Sequence, residues 1–119
     1  MIRGIRGAIT VKKNSKKAII TATVRLLAEM IRGNKVKVSD IASIIFSSTA
    51  DLNAEFPARA AREMGFDLVP LFCVVEINVP KSLKKCVRVL MHVNTGKSQK
   101  EINHVYLEGA ANLRKESCQ

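Results

Sequence analysis

The stretch CVRVLMHVN, residues 86–94, alternates along its whole length. In an extended strand successive side chains point to opposite faces. Val87, Val89, Met91 and Val93 therefore share one face, and Arg88, Leu90 and His92 share the other. A strand with one apolar face needs a layer packed against it. The chain supplies that layer in SKKAIITATVRLLAEMI, where Ile20, Val24, Leu27 and Ile31 recur at spacings of four, three and four. Ile19, Leu26 and Met30 widen the stripe, so the segment reads as an amphipathic helix, the longest in the chain. Asn14 or Ser15 is placed to cap its start, and Gly33-Asn34 to end it.

The remaining segments extend the same pattern. Residues 2–11 read as a strand, and IASIIFSS, residues 41–48, as a buried one. DLNAEFP is an irregular turn. Pro57 suits the first turn of a short helix, PARAAREM, closed by Gly65. LVPLFCVVEINVP reads as a strand bounded by prolines, followed by a basic loop at 81–85. TGKSQKEIN is a turn, HVYLEGAANL a last strand, and RKESCQ a polar tail with 115–119 expected to be flexible. The order β-α-β-α-β-β-β predicts an α+β (mixed α/β) sheet with helices on one face, in a single domain spanning 1–119.

Charge bears on partners. With 20 basic and 10 acidic residues the formal charge is +10, which points to an anionic partner. Lys12, Lys13, Lys16 and Lys17 cluster at the start of the long helix, and Lys81, Lys84 and Lys85 around the basic loop. Aromatic residues are only 4% with no Trp, which leaves little for base stacking. Cys73, Cys86 and Cys118 are odd in number and lack CxxC spacing, so neither a disulfide framework nor a zinc site is expected. His92 and His104 have no metal-like partners nearby in sequence, and no metal is expected. There is no apolar run of membrane-spanning length and no secretory leader pattern, so the expected location is cytoplasmic.

No phosphate-binding glycine loop, nucleophile elbow or zinc-protease motif occurs. The informative residues are charges set in apolar runs. Glu76 closes LFCVVE and either reaches water at a strand end or serves as a fixed acceptor for a ligand hydroxyl. Arg88, between two valines, is either a solvated sheet residue or an anion contact. Arg59 and Arg62 share a helix face. Arg114 lies just past the last strand. Arg3 and Arg6, three apart in the first strand, fall on opposite faces and cannot serve one surface together. Several arginines with one carboxylate suit a small substrate bearing two carboxylates and a hydroxyl.

Five stretches in order, MIRGIRGAITV, TADLNAEFPARAARE, PLFCVVEINVP, KKCVRVLMHVN and HVYLEGAANLR, together resemble the monofunctional chorismate mutases of the trimeric pseudo-α/β-barrel class. The resemblance implies a five-stranded mixed sheet with helices outside and three subunits forming a barrel-like core. It also implies active sites at subunit interfaces and the cofactor-free rearrangement of chorismate to prephenate in aromatic amino-acid biosynthesis. On the matching positions it implies catalytic roles for Arg6 at a substrate carboxylate, Glu76 at the ring hydroxyl and Arg88 at the ether oxygen. Phe72, Cys73, Val74 and Val75 would frame the pocket, and Tyr106 would meet a carboxylate. The neighbouring subunit would contribute Phe56, Ala58, Arg59 and Arg62, and Leu113 and Arg114 would close the site. The partners implied are chorismate and two further copies of the chain, with no nucleic acid and no membrane. Two other readings fit the residues less fully: a basic nucleic-acid-binding module, and a non-catalytic trimer that binds a small dicarboxylate.

Overall fold

The structure, a computed structural model, describes residues 1–113; residues 114–119, including Arg114 and the expected flexible tail, lie outside the described residues. In chain order the elements are strand β1 (Ile2–Thr10), helix α1 (Lys16–Asn34), strand β2 (Ile41–Ser48), helix α2 (Ala58–Glu63), and strands β3 (Leu71–Val75), β4 (Cys86–Asn94) and β5 (Val105–Leu107). Short 3₁₀ turns occupy Val38–Asp40, Gln99–Glu101 and Glu108–Ala110. The strands form one mixed sheet in the order β3-β2-β4-β1-β5. β4 runs antiparallel between β1 and β2, while β3 and β5 lie parallel to β2 and β1 at the two edges. The fold is thus α+β, with one long and one short helix. No helix among the described residues is long and apolar enough to cross a membrane.

The alternation in β4 decides which face is covered. Val87, Val89, Met91 and Val93 are buried, together with Ile5 and Ile9 of β1 and Ile44 and Phe46 of β2. α1 lies over this face. Its approach depends on Gly7, where an added Cβ would sit 2.5 Å from Met30 Sδ and 3.1 Å from Leu26 Cδ1. A second small cluster, Ala8, Cys86, Ala110 and Leu113, forms apart from the main core.

Several boundaries differ from the sequence expectation, each for a local reason. Of the two candidate caps the sequence offers, Ser15 caps α1, accepting from the Ala18 N–H at 3.1 Å. The Asn14 carboxamide instead holds the 53–54 turn, accepting from the backbone N–H groups of Asn53 and Ala54. The helix continues through Gly33 and Asn34 and ends on Lys35, which adopts φ 53°. Asn34 is buried because its side chain donates to the Met30 and Asn103 carbonyls and accepts from the Asn103 N–H. The buried stripe of α1 is Ile19, Thr23, Leu26, Leu27, Met30 and Asn34, leaving Ile20, Val24 and Ile31 only partly covered. Thr23 fits the core because its hydroxyl donates to the Ile19 carbonyl at 2.7 Å.

The strand expected over LVPLFCVVEINVP shrinks to Leu71–Val75, because β2, its sole ladder partner, ends at Ser48. One further bond, Glu76 N–H to the Ser48 carbonyl at 3.0 Å, fixes the residue that follows. The last strand shrinks to Val105–Leu107, since Glu108, at φ 53°, turns the chain into a 3₁₀ turn.

Candidate active site

On the face of the sheet opposite α1, the ladder registers set one row of residues across all five strands. Tyr106 of β5 pairs with Ala8 of β1, Ala8 with Arg88 of β4, Arg88 with Ser47 of β2, and Ser47 with Val74 of β3. Neighbouring strands stand about 4.8 Å apart. The small side chains of Ala8 and Ser47 flank Arg88 and leave space on either side of its guanidinium. Arg6, one step along β1 on the same face, and Glu76, just past β3, complete the lining of a cleft of about 350 Å³ that also includes Leu113.

Arg3 and Arg6 part as the alternation requires. Arg6 lines the cleft, whereas Arg3 donates from Nε to the Lys97 carbonyl at 2.9 Å. The outer edge of β1 beside Arg6 is held by side chains that take the place of a longer β5. Gln99 bonds both the N–H and the carbonyl of Gly4, and His104 Nδ1 accepts the Arg6 N–H at 2.9 Å. That bond requires the proton of the neutral His104 ring to reside on Nε2.

The cleft holds two arginines and one carboxylate. Glu76 accepts from Ser47 Oγ at 3.0 Å through Oε1, and its Oε2 stands 3.6 Å from Arg88 Nη1. Arg88 Nε and the Tyr106 hydroxyl are both buried without a hydrogen-bond partner among the described residues. The Arg6 guanidinium makes no ion pair among them. Unpartnered buried donors are costly and call for an explanation. Here the donors converge on one cavity of net positive charge, which suits an anionic ligand with hydrogen-bond acceptors.

A second cleft, of about 390 Å³, lies between α2 and β3 and is lined by Phe56, Ala58, Arg59, Arg62, Phe72 and Cys73. Arg59 Nε lies 3.7 Å from Glu63 on its own helix, while Arg62 makes no ion pair among the described residues. The sequence-predicted residues therefore divide. Arg6, Glu76, Arg88, Tyr106 and Leu113 come together in the first cleft; Phe56, Ala58, Arg59, Arg62, Phe72 and Cys73 in the second. Val74 and Val75 are exposed and line neither, and Arg114 lies outside the described residues.

Cys73 and Glu76 separate because their strand parity differs: Cys73 pairs with Phe46 on the core-facing parity, and Glu76 continues the opposite one. Burial pushes the Cys73 thiol up. It also raises the Cys86 thiol, partly offset by Arg88 nearby. Both cysteines therefore stay protonated near neutrality and are poor nucleophiles. Ser47 and Ala8, which flank Arg88, are among the cleft residues that sequence reasoning missed, with Gly7, Ile45, Val89 and Leu90. The available signal was parity, since Ser47 falls out of step with the core residues Ile44 and Phe46.

With this geometry in place, comparison with known proteins decides the family. The family model described as chorismate mutase type I matches residues 2–117. The chain belongs to the type I chorismate mutase family. The chorismate mutase AroH of Bacillus subtilis (strain 168) is 46% identical over 115 residues, covering 96% of this chain and 91% of that protein. The Thermus thermophilus AroH chorismate mutase is 45% identical over 115 residues, covering 96% and 94% respectively. The solved chorismate mutase from Clostridium thermocellum superposes with a TM-score of 0.89 at 54% identity, covering 90% of this chain and 96% of that one.

Proposed function

We propose that this chain is an isomerase that converts chorismate to prephenate in aromatic amino-acid biosynthesis, acting as a cytoplasmic homotrimer with its sites between subunits. The observation that carries this reading is the pair of buried, unpartnered donors, Arg88 Nε and the Tyr106 hydroxyl, in a cleft that also holds Arg6 and Glu76. In the Claisen-type rearrangement a C–O bond breaks as a C–C bond forms within one molecule, so no proton donor, base, nucleophile or cofactor takes part. What remains for the protein is to hold the folded conformer and to meet developing charge.

The residues divide these tasks. Arg88 donates to the ether oxygen, which gathers negative charge as the C–O bond breaks. The planar guanidinium presents its donors in a fixed fork. Arg6 and Tyr106 bind substrate carboxylates, and Glu76 accepts from the ring hydroxyl. Phe56, Ala58, Arg59, Arg62, Phe72 and Cys73, in the second cleft of one subunit, serve the first cleft of the next, with Val74 and Val75 along the same edge. Leu113 and Arg114 close the site. The whole of 1–119 then acts as one catalytic domain.

The subunit arrangement draws support from the β3 edge. Phe72 is 64% exposed, Val75 73%, Ile77 79% and Phe56 70%, an apolar strip that an isolated subunit would leave in water. The test is the loss of chorismate absorbance with purified protein in EDTA. Turnover to prephenate is expected. Binding of a small dicarboxylate without turnover would favour a non-catalytic trimer instead.

A further inference from the structure

Glu76 and Arg88 form a loose ion pair that stops short of a hydrogen bond. A carboxylate and a guanidinium in a partly enclosed cleft ordinarily close into a paired, two-bond contact. Here the nearest approach is 3.6 Å, outside hydrogen-bond range, and Arg88 Nε is left buried and unpartnered among the described residues. Both side chains are about four-fifths covered, at 19% exposed for Arg88 and 23% for Glu76, so solvent screening alone does not account for the gap.

Ser47 does. In the sheet order β3-β2-β4, β2 lies between the strand that leads into Glu76 and the strand that carries Arg88. Ser47 is the β2 residue directly opposite Arg88, and its hydroxyl donates to Glu76 Oε1 at 3.0 Å. The Glu76 backbone is fixed to the Ser48 carbonyl at the same point. Glu76 is thus tethered one strand short of Arg88.

We propose that Ser47 is a positioning residue whose hydroxyl withholds Glu76 from Arg88. It keeps the guanidinium donors for the ligand and leaves Glu76 Oε2 as acceptor for a ligand hydroxyl. This rests on the proposed chorismate mutase reaction. Without the hydroxyl, Glu76 closes on Arg88 and occupies the donors that the transition state needs. The effect then appears in kcat more than in KM, because Arg88 is the group whose contact strengthens in the transition state.

The experiment compares Ser47→Ala and Ser47→Thr, each alone and in a Glu76→Gln background, in the full-length enzyme. Ser47→Ala should lower kcat about tenfold or more, the scale of one charge-assisted hydrogen bond, with a smaller change in KM. Ser47→Thr keeps the hydroxyl and should stay within about threefold of wild type. In the Glu76→Gln background, Ser47→Ala should change kcat by less than about threefold, because a neutral carboxamide is drawn to a guanidinium far more weakly than a carboxylate is. An active wild type with an equally active Ser47→Ala protein would overturn the role of Ser47 alone. So would an equal loss in both backgrounds, which marks a structural effect. A wild type without turnover would remove the proposed reaction and this inference together.

Discussion

Arg88 places a permanent cation on β4 between the buried Val87 and Val89, with its Nε shielded from water and unpartnered among the described residues. The Glu76 carboxylate, 3.6 Å from Nη1, balances the charge but leaves the Nε donor unused, which suits a ligand acceptor. If that acceptor is the ether oxygen, the contact strengthens in the transition state, and we predict that Arg88→Ala lowers kcat by about 10²–10³, roughly 3–4 kcal/mol, with a smaller change in KM. A citrulline at this position, neutral but of the same shape, should fail as well. Near-wild-type turnover by the citrulline protein would transfer the catalysis to conformational restraint. Glu76 is assigned an orienting role, so Glu76→Gln, which keeps an acceptor, should retain far more activity than Glu76→Ala. Equal losses in steady-state assays would contradict that assignment. Both residues were legible in the sequence because a charge inside an apolar run stands out. Ser47 was not, since a serine in IIFSS gains meaning only when the β2–β4 register sets it opposite Arg88. The parity of Cys73 and Glu76 was legible, and it separates them within the subunit.

At the level of elements, the sheet holds the cleft through close packing on its other face. Gly7 lies between Ala8 of the cleft row and the α1 contacts with Met30 and Leu26. We predict that Gly7→Val destabilises the fold by about 1–3 kcal/mol in urea titration, because the added atoms meet α1 directly. A neutral result would mean that α1 can lift without cost. Asn34 joins the end of α1 to residue 103 through two side-chain hydrogen bonds, with a third to the Met30 carbonyl of its own helix, next to His104, which holds the Arg6 N–H. Asn34→Ala should cost about 2–3 kcal/mol, since the Asn103 N–H loses its acceptor; a loss below about 0.5 kcal/mol would show that water replaces the amide. Sequence periodicity located α1, α2 and the five strands of the described residues, and the spans of β2 and β4 matched to the residue. It failed at the ends of β3 and β5, where a partner's length and a positive φ at Glu108 set the limit. It also placed the buried stripe of α1 one residue too far along, because Thr23 and Asn34 satisfy their polar groups internally and so enter the core.

For the molecule as a whole, the charge of +10 far exceeds what the two clefts require. If it steers anionic chorismate, kcat/KM should fall as salt rises in the encounter-limited regime. Tight binding of duplex DNA or RNA at physiological salt would assign the charge to another partner. The central claim of the proposed trimer concerns the two clefts: the first holds Arg88 and the second Arg62, and in that proposal each is half of a site completed by a neighbouring subunit. The direct measurement mixes Arg62→Ala and Arg88→Ala proteins, each inactive alone, then unfolds and refolds them together. In a cyclic trimer of randomly mixed subunits, about a quarter of the sites combine an intact Arg88 with an intact Arg62. The account predicts recovery of about that fraction of wild-type turnover. A mixture no more active than its separate components, or full activity in a sedimenting monomer, would contradict it.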